Sequence, residues 1–232
     1  MTAKTLKPYP KYKDSGVSWI GMVPREWEIK RLKRLFSFGK GLPITKADLI
    51  PSGLAVISYG QIHSKKNSGV CVSDELIRYV DNSYIETNPK SRVFTGDFIF
   101  ADTSEDIEGC GNCVYINNVT NPIFAGYHSI ILRSHNGNNN KYLAYLFLTN
   151  DWRRQIREKV DGVKVFSISR RILDDTTIIL PPRSEQDNIV AYLDDQCAKI
   201  DAMIGKVQSK IGLLEEYRVR LISDVVTGKV RV

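Results

Sequence analysis

The apolar positions follow one pattern before Pro181-Pro182 and another after it. In the first part, short β-branched and aromatic runs alternate with Gly, Asn and Pro, and such runs are typical of strands. The predicted strands are Leu54–Tyr59, Gly69–Val72, Asp97–Ala101, Cys113–Ile116, His128–Leu132 and Thr176–Leu180. Between the last two, the helical spacing of Tyr142, Leu146 and Ile156 predicts a helix over 141–159. Residues 1–183 are therefore predicted to form an α/β domain of the mixed α+β kind.

A single long helix is predicted after Pro182. Ser184 is a candidate N-cap, and Val226-Thr-Gly228 is a candidate C-terminus, since Gly suits a helix end. In between, steps of three and four residues connect Leu193, Cys197, Ile200, Ile204, Val207, Ile211, Leu214, Arg218, Leu221 and Val225, all apolar except Arg218. This 3.5-residue period indicates a coiled-coil seam. The helix is about 44 residues, or roughly 65 Å, long.

The apolar stripe of this helix needs a partner, because isolated helices gain most of their stability from packing. It either lies on its own domain or pairs with a helix of another chain, and the narrow seam favours pairing. Gly205 and Gly212 are open to two interpretations, tolerance on the outer face or close approach of a neighbouring helix.

Composition indicates a folded, soluble, cytoplasmic protein. The chain has 232 residues, 42% of them hydrophobic and 25% charged, which excludes wholesale disorder. No apolar run is long enough for a membrane span, and the first residues lack the apolar segment of a signal peptide. Four cysteines do not make a disulfide framework and suit a reducing compartment.

The positive charge is unevenly distributed along the chain. There are 33 Lys and Arg against 26 Asp and Glu, and residues 1–46 contain 11 basic and 3 acidic groups. Residues 133–183 are also basic, with 10 basic and 5 acidic groups, whereas 74–108 has 9 acidic and 3 basic ones. Segregated basic surface is typical of a polyanion binder, although a merely solvated face is the alternative.

Two basic segments supply candidates for phosphate contacts. Two interpretations remain open for these residues, phosphate anchoring and ordinary solvated surface. The candidates are Lys30, Arg31, Lys33, Arg34, Lys40 and Lys46 in the first segment and Lys164 and Arg170 in the second.

Polar side chains at predicted strand ends are candidates for base contacts. A Gln can pair with adenine, Lys reaches guanine acceptors, and acidic groups accept from cytosine. The candidates are Tyr59, Gln61, His63, Lys65 and Lys66, the loop residues Thr103, Ser104 and Glu105, and His128. The alternatives are a solvated turn for the loop and a satisfied, half-buried histidine at position 128.

One motif suggests a chemistry of its own. Cys110-Gly-Asn-Cys113 is consistent with half a zinc site or a redox pair, which makes a thiol or zinc enzyme the alternative function. A second ligand pair with metal spacing is missing, and a redox motif of this kind would open a helix, whereas this one leads into a predicted strand. No methyltransferase, phosphate-loop or nuclease motif is visible, so we expect no catalytic residues, no metal and no cofactor.

Three segments together resemble the specificity (S) subunit of bacterial type I restriction–modification systems. They are Tyr12–Phe36, with its Asp-Ser-Gly-Val-Ser-Trp-Ile-Gly run; Gly96–Gly109 followed by Ala125–Ile130; and Leu180-Pro-Pro-Arg-Ser-Glu-Gln186 with Ile189–Asp194 and Leu221–Lys229. The resemblance extends over nearly the whole chain, from about Tyr12 to Lys229.

The resemblance implies a non-catalytic DNA-recognition subunit. Members of the family usually have two target-recognition domains, each followed by a long helix, and each domain reads half of a bipartite site. Modification subunits bind them and methylate adenine; restriction subunits join later. This chain departs from that pattern, with one recognition domain at 1–183 and one helix at 184–232. The expected partners are double-stranded DNA, the modification and restriction subunits, and a second copy or another half subunit through the helix. A coiled-coil adaptor that does not bind DNA is a further alternative.

Overall fold

The computed structural model describes residues 7–135, 137–162 and 164–232. Two compact units make up the chain, Met1–Asp187 and Asn188–Val232. All strands lie in the first unit. The long helix begins at Arg183, at the end of the first unit, and continues through the second.

The first unit contains fourteen short strands and five helices among its described residues. The strands are β1 Tyr12–Asp14, β2 Met22–Pro24, β3 Glu28–Arg31, β4 Phe36–Lys40, β5 Leu54–Ile57, β6 Arg78–Val80, β7 Arg92–Val93, β8 Phe98–Ala101, β9 Thr103–Ser104, β10 Cys113–Tyr115, β11 Ile123–Ala125, β12 Ser129–Ser134, β13 Phe166–Ser167 and β14 Thr177–Leu180. The helices are α1 Tyr59–Ile62, α2 Tyr84–Thr87, α3 Asn140–Leu148, α4 Asn150–Arg157 and α5 Arg170–Asp174, and α6 Arg183–Val226 follows them.

Two four-stranded sheets form the framework. The first has the order β10-β8-β12-β4 and is antiparallel throughout. The second has the order β6-β5-β11-β7, in which β11 runs parallel to β5 and the other pairs are antiparallel. Two-stranded pairs β1-β2, β9-β13 and β3-β14 complete the unit. The mixed fold class predicted from the sequence is confirmed.

The core is rich in aromatic side chains where α3 and α4 cover the first sheet. Phe98, Phe100, Phe147 and Trp152 are fully buried, and the Phe147 and Trp152 rings lie 4.4 Å apart between centroids. Such pairs bury large apolar areas in specific edge or tilted geometry. This core packs against β8, and the segments that follow β8 and precede β12 form part of the surface described below.

Most predicted strands exist, but the strand predicted at Gly69–Val72 is wrong. Gly69 has a φ of +75°, and side chains of other residues satisfy the backbone there: Asn67 Oδ1 accepts from the Gly69 amide and Asn117 Oδ1 from the Val72 amide, both at 2.9 Å. The segment is a turn held by asparagines. The strand predicted at Leu54–Tyr59 ends at Ile57, and Tyr59 begins α1 instead.

The helix predicted over 141–159 is two helices. Thr149 interrupts it, because its hydroxyl donates to the Leu146 carbonyl at 2.7 Å and accepts from the Trp152 amide at 3.3 Å, which ends α3 and caps α4. A threonine bonded in this way competes with the helical backbone pattern.

The C-terminal end of the long helix lies where the sequence predicted it. It stops at Val226, and Gly228 adopts a φ of +74°. At the other end it begins at Arg183, one residue before the predicted cap Ser184, and the Pro182 carbonyl accepts from the Glu185 and Gln186 amides. Most of the predicted seam is exposed, and the exposed side chains on it are Ile200, Ile204, Val207, Ile211, Leu214 and Leu221.

Candidate nucleic-acid interface

A groove of about 620 Å³ lies at the ends of β4, β8 and β12. Four of the residues selected from the sequence, Lys40, Thr103, His128 and Arg170, line it. They come from four distant segments of the chain, which long-range strand pairing brings together. The groove is therefore a product of the fold and is not visible as a local motif.

Close backbone crossings shape the floor of the groove. A Cβ at Gly41 would lie 1.8 Å from the Gly126 carbonyl oxygen, and one at Gly126 would lie 1.9 Å from Ser58 Oγ. Distances this short leave no room for any side chain, so both positions require glycine. The Leu42 amide donates to the Ala125 carbonyl at 2.8 Å across the same crossing, which fixes the two segments to each other.

One wall of the groove is cationic. The guanidinium of Arg170, at the start of α5, lies 4.8 Å from the centroid of the Phe38 ring, and its Nε is 3.5 Å from Asp174 Oδ2. Stacking on an aromatic ring orients a planar guanidinium without using its donors. Helix α5 also packs against the 3-10 turn Leu32–Arg34, so the two basic segments of the sequence are neighbours there, although no residue of that turn lines the groove.

His128 lies at the groove in a strained conformation. Its φ is +53°, the one positive value among the non-glycine residues that the structure describes, and its side chain is 61% exposed. Its Nδ1 is 3.2 Å from Asp102 Oδ1, and the Asp102 amide donates to the His128 carbonyl at the same distance. Strained residues of this kind cluster at functional sites. The exposed ring and its orienting carboxylate make His128 a stronger candidate for DNA contact than the sequence indicated.

A second depression of about 440 Å³ contains Tyr59, His63, Ser104 and Glu105. The Tyr59 ring joins it to the groove, because its centroid lies 4.6 Å from that of His63 and 6.2 Å from that of His128. Burial, with the nearby Glu105 carboxylate as a second cause, raises the pKa of the Tyr59 phenol. Tyr59 therefore remains a neutral hydrogen-bonding group at physiological pH.

The polar atoms of His63 are already in use. Its Nε2 is 3.0 Å from the Thr103 carbonyl oxygen and its Nδ1 is 3.1 Å from Asn112 Nδ2. Asn112 Oδ1 in turn accepts from Arg153 Nη1 at 2.8 Å, so the asparagine presents its NH₂ to His63 and the histidine must donate to Thr103. This chain of contacts, here called the Arg153 relay, supports the backbone of Thr103. His63 has no ring nitrogen left for a base edge.

Other candidates are also engaged within the protein. Gln61 Oε1 accepts from the Ser58 amide at 3.2 Å, a hydrogen bond that caps the start of α1. Bidentate pairing of Gln61 with adenine would break this hydrogen bond. Ser104 is only 1% exposed. Thr103 and Glu105 lie at the surface, where Thr103 lines the groove and Glu105 lines the second depression.

Three of the remaining cations form ion pairs within the protein. Lys30 pairs with Glu28, whose pKa it lowers, and Arg31 Nη1 lies 3.4 Å from Asp175 Oδ1. Lys66 pairs with Glu75 at 3.0 Å. The other cations selected from the sequence have exposed side chains, and these are Lys33, Arg34, Lys46, Lys65 and Lys164.

Sequence reasoning missed Asn112 and Arg153 as supports of the groove. Asp102, Ser167 and Ser169 line it, while Asn112 and Arg153 hold Thr103 through His63. The pairing of β9 with β13, in which Thr103 faces Ser167, creates this arrangement. The local sequence does not predict so short a pair of strands.

Cys110 and Cys113 have the environment of core residues. Both are buried, and burial raises the pKa of each thiol, to about 12 for Cys113. A thiolate is the reactive form of cysteine, so such burial suppresses its nucleophilicity. Among the described residues, no group of three or more His, Cys, Asp and Glu side chains has an arrangement that would hold a metal ion. Nor does any described helix combine the length and apolarity that crossing a membrane requires.

Comparison with known proteins gives concordant results. Residues 24–211 match the family described as type I restriction modification DNA specificity domain. The MjaVIII type I restriction enzyme specificity subunit of Methanocaldococcus jannaschii is 20% identical over 223 residues, which cover 95% of this chain and 50% of the relative. The chain spans about half the length of the curated relatives it matches.

Solved structures share the fold. A chain from a structure of a type I R-M system has a TM-score of 0.64 at 16% identity, covering 87% of this chain and 46% of the other. The S subunit of a type I restriction-modification system from M. genitalium has a TM-score of 0.54 at 17% identity, covering 85% and 46%. At these identities the likeness concerns the architecture alone.

Proposed function

Because the chain belongs to the type I restriction modification DNA specificity family, we propose that its first unit reads one half of a bipartite site in duplex DNA. The observation that carries this proposal is the convergence of Lys40, Thr103, His128 and Arg170 on one groove. Cationic side chains there suit phosphate contacts, while Thr103 and His128 suit base edges. The protein then acts in the compartment that holds the DNA, the cytoplasm.

The chain itself performs no chemistry in this proposal. It addresses a modification subunit, which methylates adenine, and a restriction subunit to the site. The groove supports this role because it offers hydrogen-bonding and cationic groups. A thiol enzyme using Cys110 and Cys113 has no support from their burial.

The second unit is proposed to pair with the same helix of another copy, or of a different half subunit. Support comes from the six exposed apolar side chains on the seam, among them Ile204 and Ile211 at 48% and 51% exposure. An apolar stripe at 3.5-residue spacing is most stable when another helix covers it. Two identical units related by a two-fold axis would read a palindromic, interrupted sequence.

A methylation profile of cells that express the chain with a modification subunit tests this function. We expect a new methyladenine motif, palindromic and interrupted for a homodimer, or with two unlike halves if a second specificity chain is the partner. The double variant Lys40→Ala, Arg170→Ala should lose the motif. Its matched control, Lys11→Ala with Arg25→Ala, removes two exposed cations outside the groove and should keep it.

The absence of new methylation would contradict the proposal, provided that the subunits are shown to associate. Unchanged methylation by the Lys40 and Arg170 double variant would leave DNA recognition intact but remove the groove as its site. Strongly salt-dependent binding of the purified chain to duplex DNA would separately exclude a coiled-coil adaptor that does not bind DNA.

A further inference from the structure

A second concave surface of about 620 Å³ lies on the other four-stranded sheet, and we refer to it as the acidic groove. Its floor includes Tyr79, Ala55 and Ile123, which the register places side by side on β6, β5 and β11. None of the residues proposed to contact DNA lines it. The acidic groove therefore needs a separate explanation.

The acidic groove combines exposed apolar side chains with a polar rim. Tyr79 and Ile85 remain 37% and 43% exposed, although both are large and apolar. The rim carries Asp74 and the asparagines at positions 82, 118 and 121. Exposed apolar surface surrounded by polar groups is typical of a protein-binding site, and amides suit the backbone of an extended segment because they both donate and accept.

The charge around the acidic groove determines which kind of ligand it can bind. Asp74 lies in it, and its carboxylate has no recorded partner among the residues that the structure describes. Asp81 and Glu86, close by along the chain, add negative charge, whereas Glu75 pairs with Lys66 at 3.0 Å and the guanidinium of Arg78 is turned to the Glu75 and Ile77 carbonyls at 3.0 and 2.6 Å. Phosphate is repelled by such a surface, whereas lysine and arginine side chains are attracted to it.

We propose that the acidic groove docks a basic, partly apolar segment of a partner protein. Apolar side chains of the segment pack on Tyr79 and Ile85, its backbone bonds to the rim amides, and its cations neutralise Asp74. Charge complementarity favours this basic segment over nucleic acid as the occupant. The inference goes beyond the proposed function, since it concerns a surface that DNA does not occupy.

Peptide binding by the full chain tests the inference. The probe is a short fluorescent peptide of alternating lysine and leucine, and its matched control has glutamate in place of lysine. In anisotropy titrations we expect the basic peptide to bind at least tenfold more tightly than the acidic one. Asp74→Lys and Ile85→Ser should each weaken it about five- to tenfold, because they remove a rim charge and an apolar contact.

The control Glu26→Lys adds the same charge at an exposed position outside the acidic groove and should change binding little. Thermal melting of every variant checks that the unit is folded. If Glu26→Lys lost as much peptide affinity as Asp74→Lys, the attraction would be diffuse and the proposal would be overturned. Binding of the acidic peptide as tight as that of the basic peptide would also overturn it. A change of oligomeric mass in Asp74→Lys would instead identify a second copy as the occupant, and that also overturns it.

The double variant Lys40→Ala, Arg170→Ala separates this inference from the proposed function, whereas competition with duplex DNA would not, because the lysine-rich peptide binds DNA itself. We expect this variant to keep its peptide affinity, since the two grooves use different residues. Failure of the wild-type chain to bind DNA, with intact peptide binding, would contradict only the proposed function. Loss of peptide binding in the double variant would contradict the docking proposal.

Discussion

Replacing Asn112 with leucine tests the Arg153 relay. The substitution keeps side-chain volume but removes both polar atoms, the acceptor of the Arg153 bond at 2.8 Å and the group that meets His63 Nδ1 at 3.1 Å. Leucine also keeps water from filling the space, so the arginine and the histidine lose partners together. The cost should appear both in stability and in the position of Thr103.

The magnitude follows from the kind of bond that is lost. A hydrogen bond to a charged group contributes about 1.5–3 kcal/mol and a neutral one about 0.5–1.5 kcal/mol. Because Asn112 is half-buried and water can reach part of the site, the lower halves of these ranges apply. We therefore expect Asn112→Leu to lower the free energy of unfolding of the first unit by about 2–3 kcal/mol.

Urea unfolding followed by tryptophan fluorescence measures this change, since the fully buried Trp152 lies one residue before Arg153 on α4. The matched control is Asn118→Leu, an exposed asparagine with no partner among the described residues, which should change stability by less than about 0.5 kcal/mol. In folded Asn112→Leu, affinity for the cognate duplex should also fall, because the Thr103 backbone loses its support. Stability within about 0.5 kcal/mol of the wild type would refute the relay as a structural support.

Three further predictions concern the groove, the seam and the core thiol. Arg170→Ala should weaken duplex binding and reduce the salt slope by about 0.9, whereas Arg25→Ala should change neither; equal slopes in titrations at several salt concentrations would remove Arg170 from the phosphate contacts. Ile204→Asp with Ile211→Asp should convert the proposed dimer to a monomer in sedimentation experiments, because buried carboxylates there would be unpaired; an unchanged mass contradicts pairing through the seam. Burial raises the pKa of Cys113 to about 12, so its contribution to stability is complete below the unfolded value of about 8.5 and is lost as pH rises towards 12. Cys113→Ala should lessen this alkaline loss of unfolding free energy, and an identical pH dependence would disprove the assignment.

The long helix and the buried strands were predictable because their signals are local. A 3.5-residue spacing from Leu193 to Val225 requires only neighbouring positions, and the apolar run of β8 is buried at all four residues. The sequence around Gln61 also contains a local structural signal. Ser58 and Gln61 stand at the spacing of a capping box, which indicates the start of α1 and explains why the glutamine bonds to the backbone.

The groove was only partly predictable because contacts between distant segments create it. Density of charge along the chain does not imply density in space: β3 pairs with β14, and Arg31 meets Asp175 there. Arg170, in contrast, reaches the groove through β13 and α5, although nothing near it in the sequence distinguishes it from Arg171. Residue type therefore indicated the chemistry, while strand pairing decided which side chains come together.

The groove separates the exposed side chains that are proposed to contact DNA from the residues that maintain its shape. His128 and Arg170 have side chains 61% and 65% exposed, so their replacement would cost the fold little. Gly41 and Gly126, in contrast, leave no space for a Cβ, since one at Gly41 would meet the Gly126 backbone and one at Gly126 the side chains of Ser58 and Val56. Under the proposed function, substitution at the exposed positions would change the DNA sequence that is read while the crossing beneath them stays fixed. This division would allow one fold to accommodate different recognition sequences.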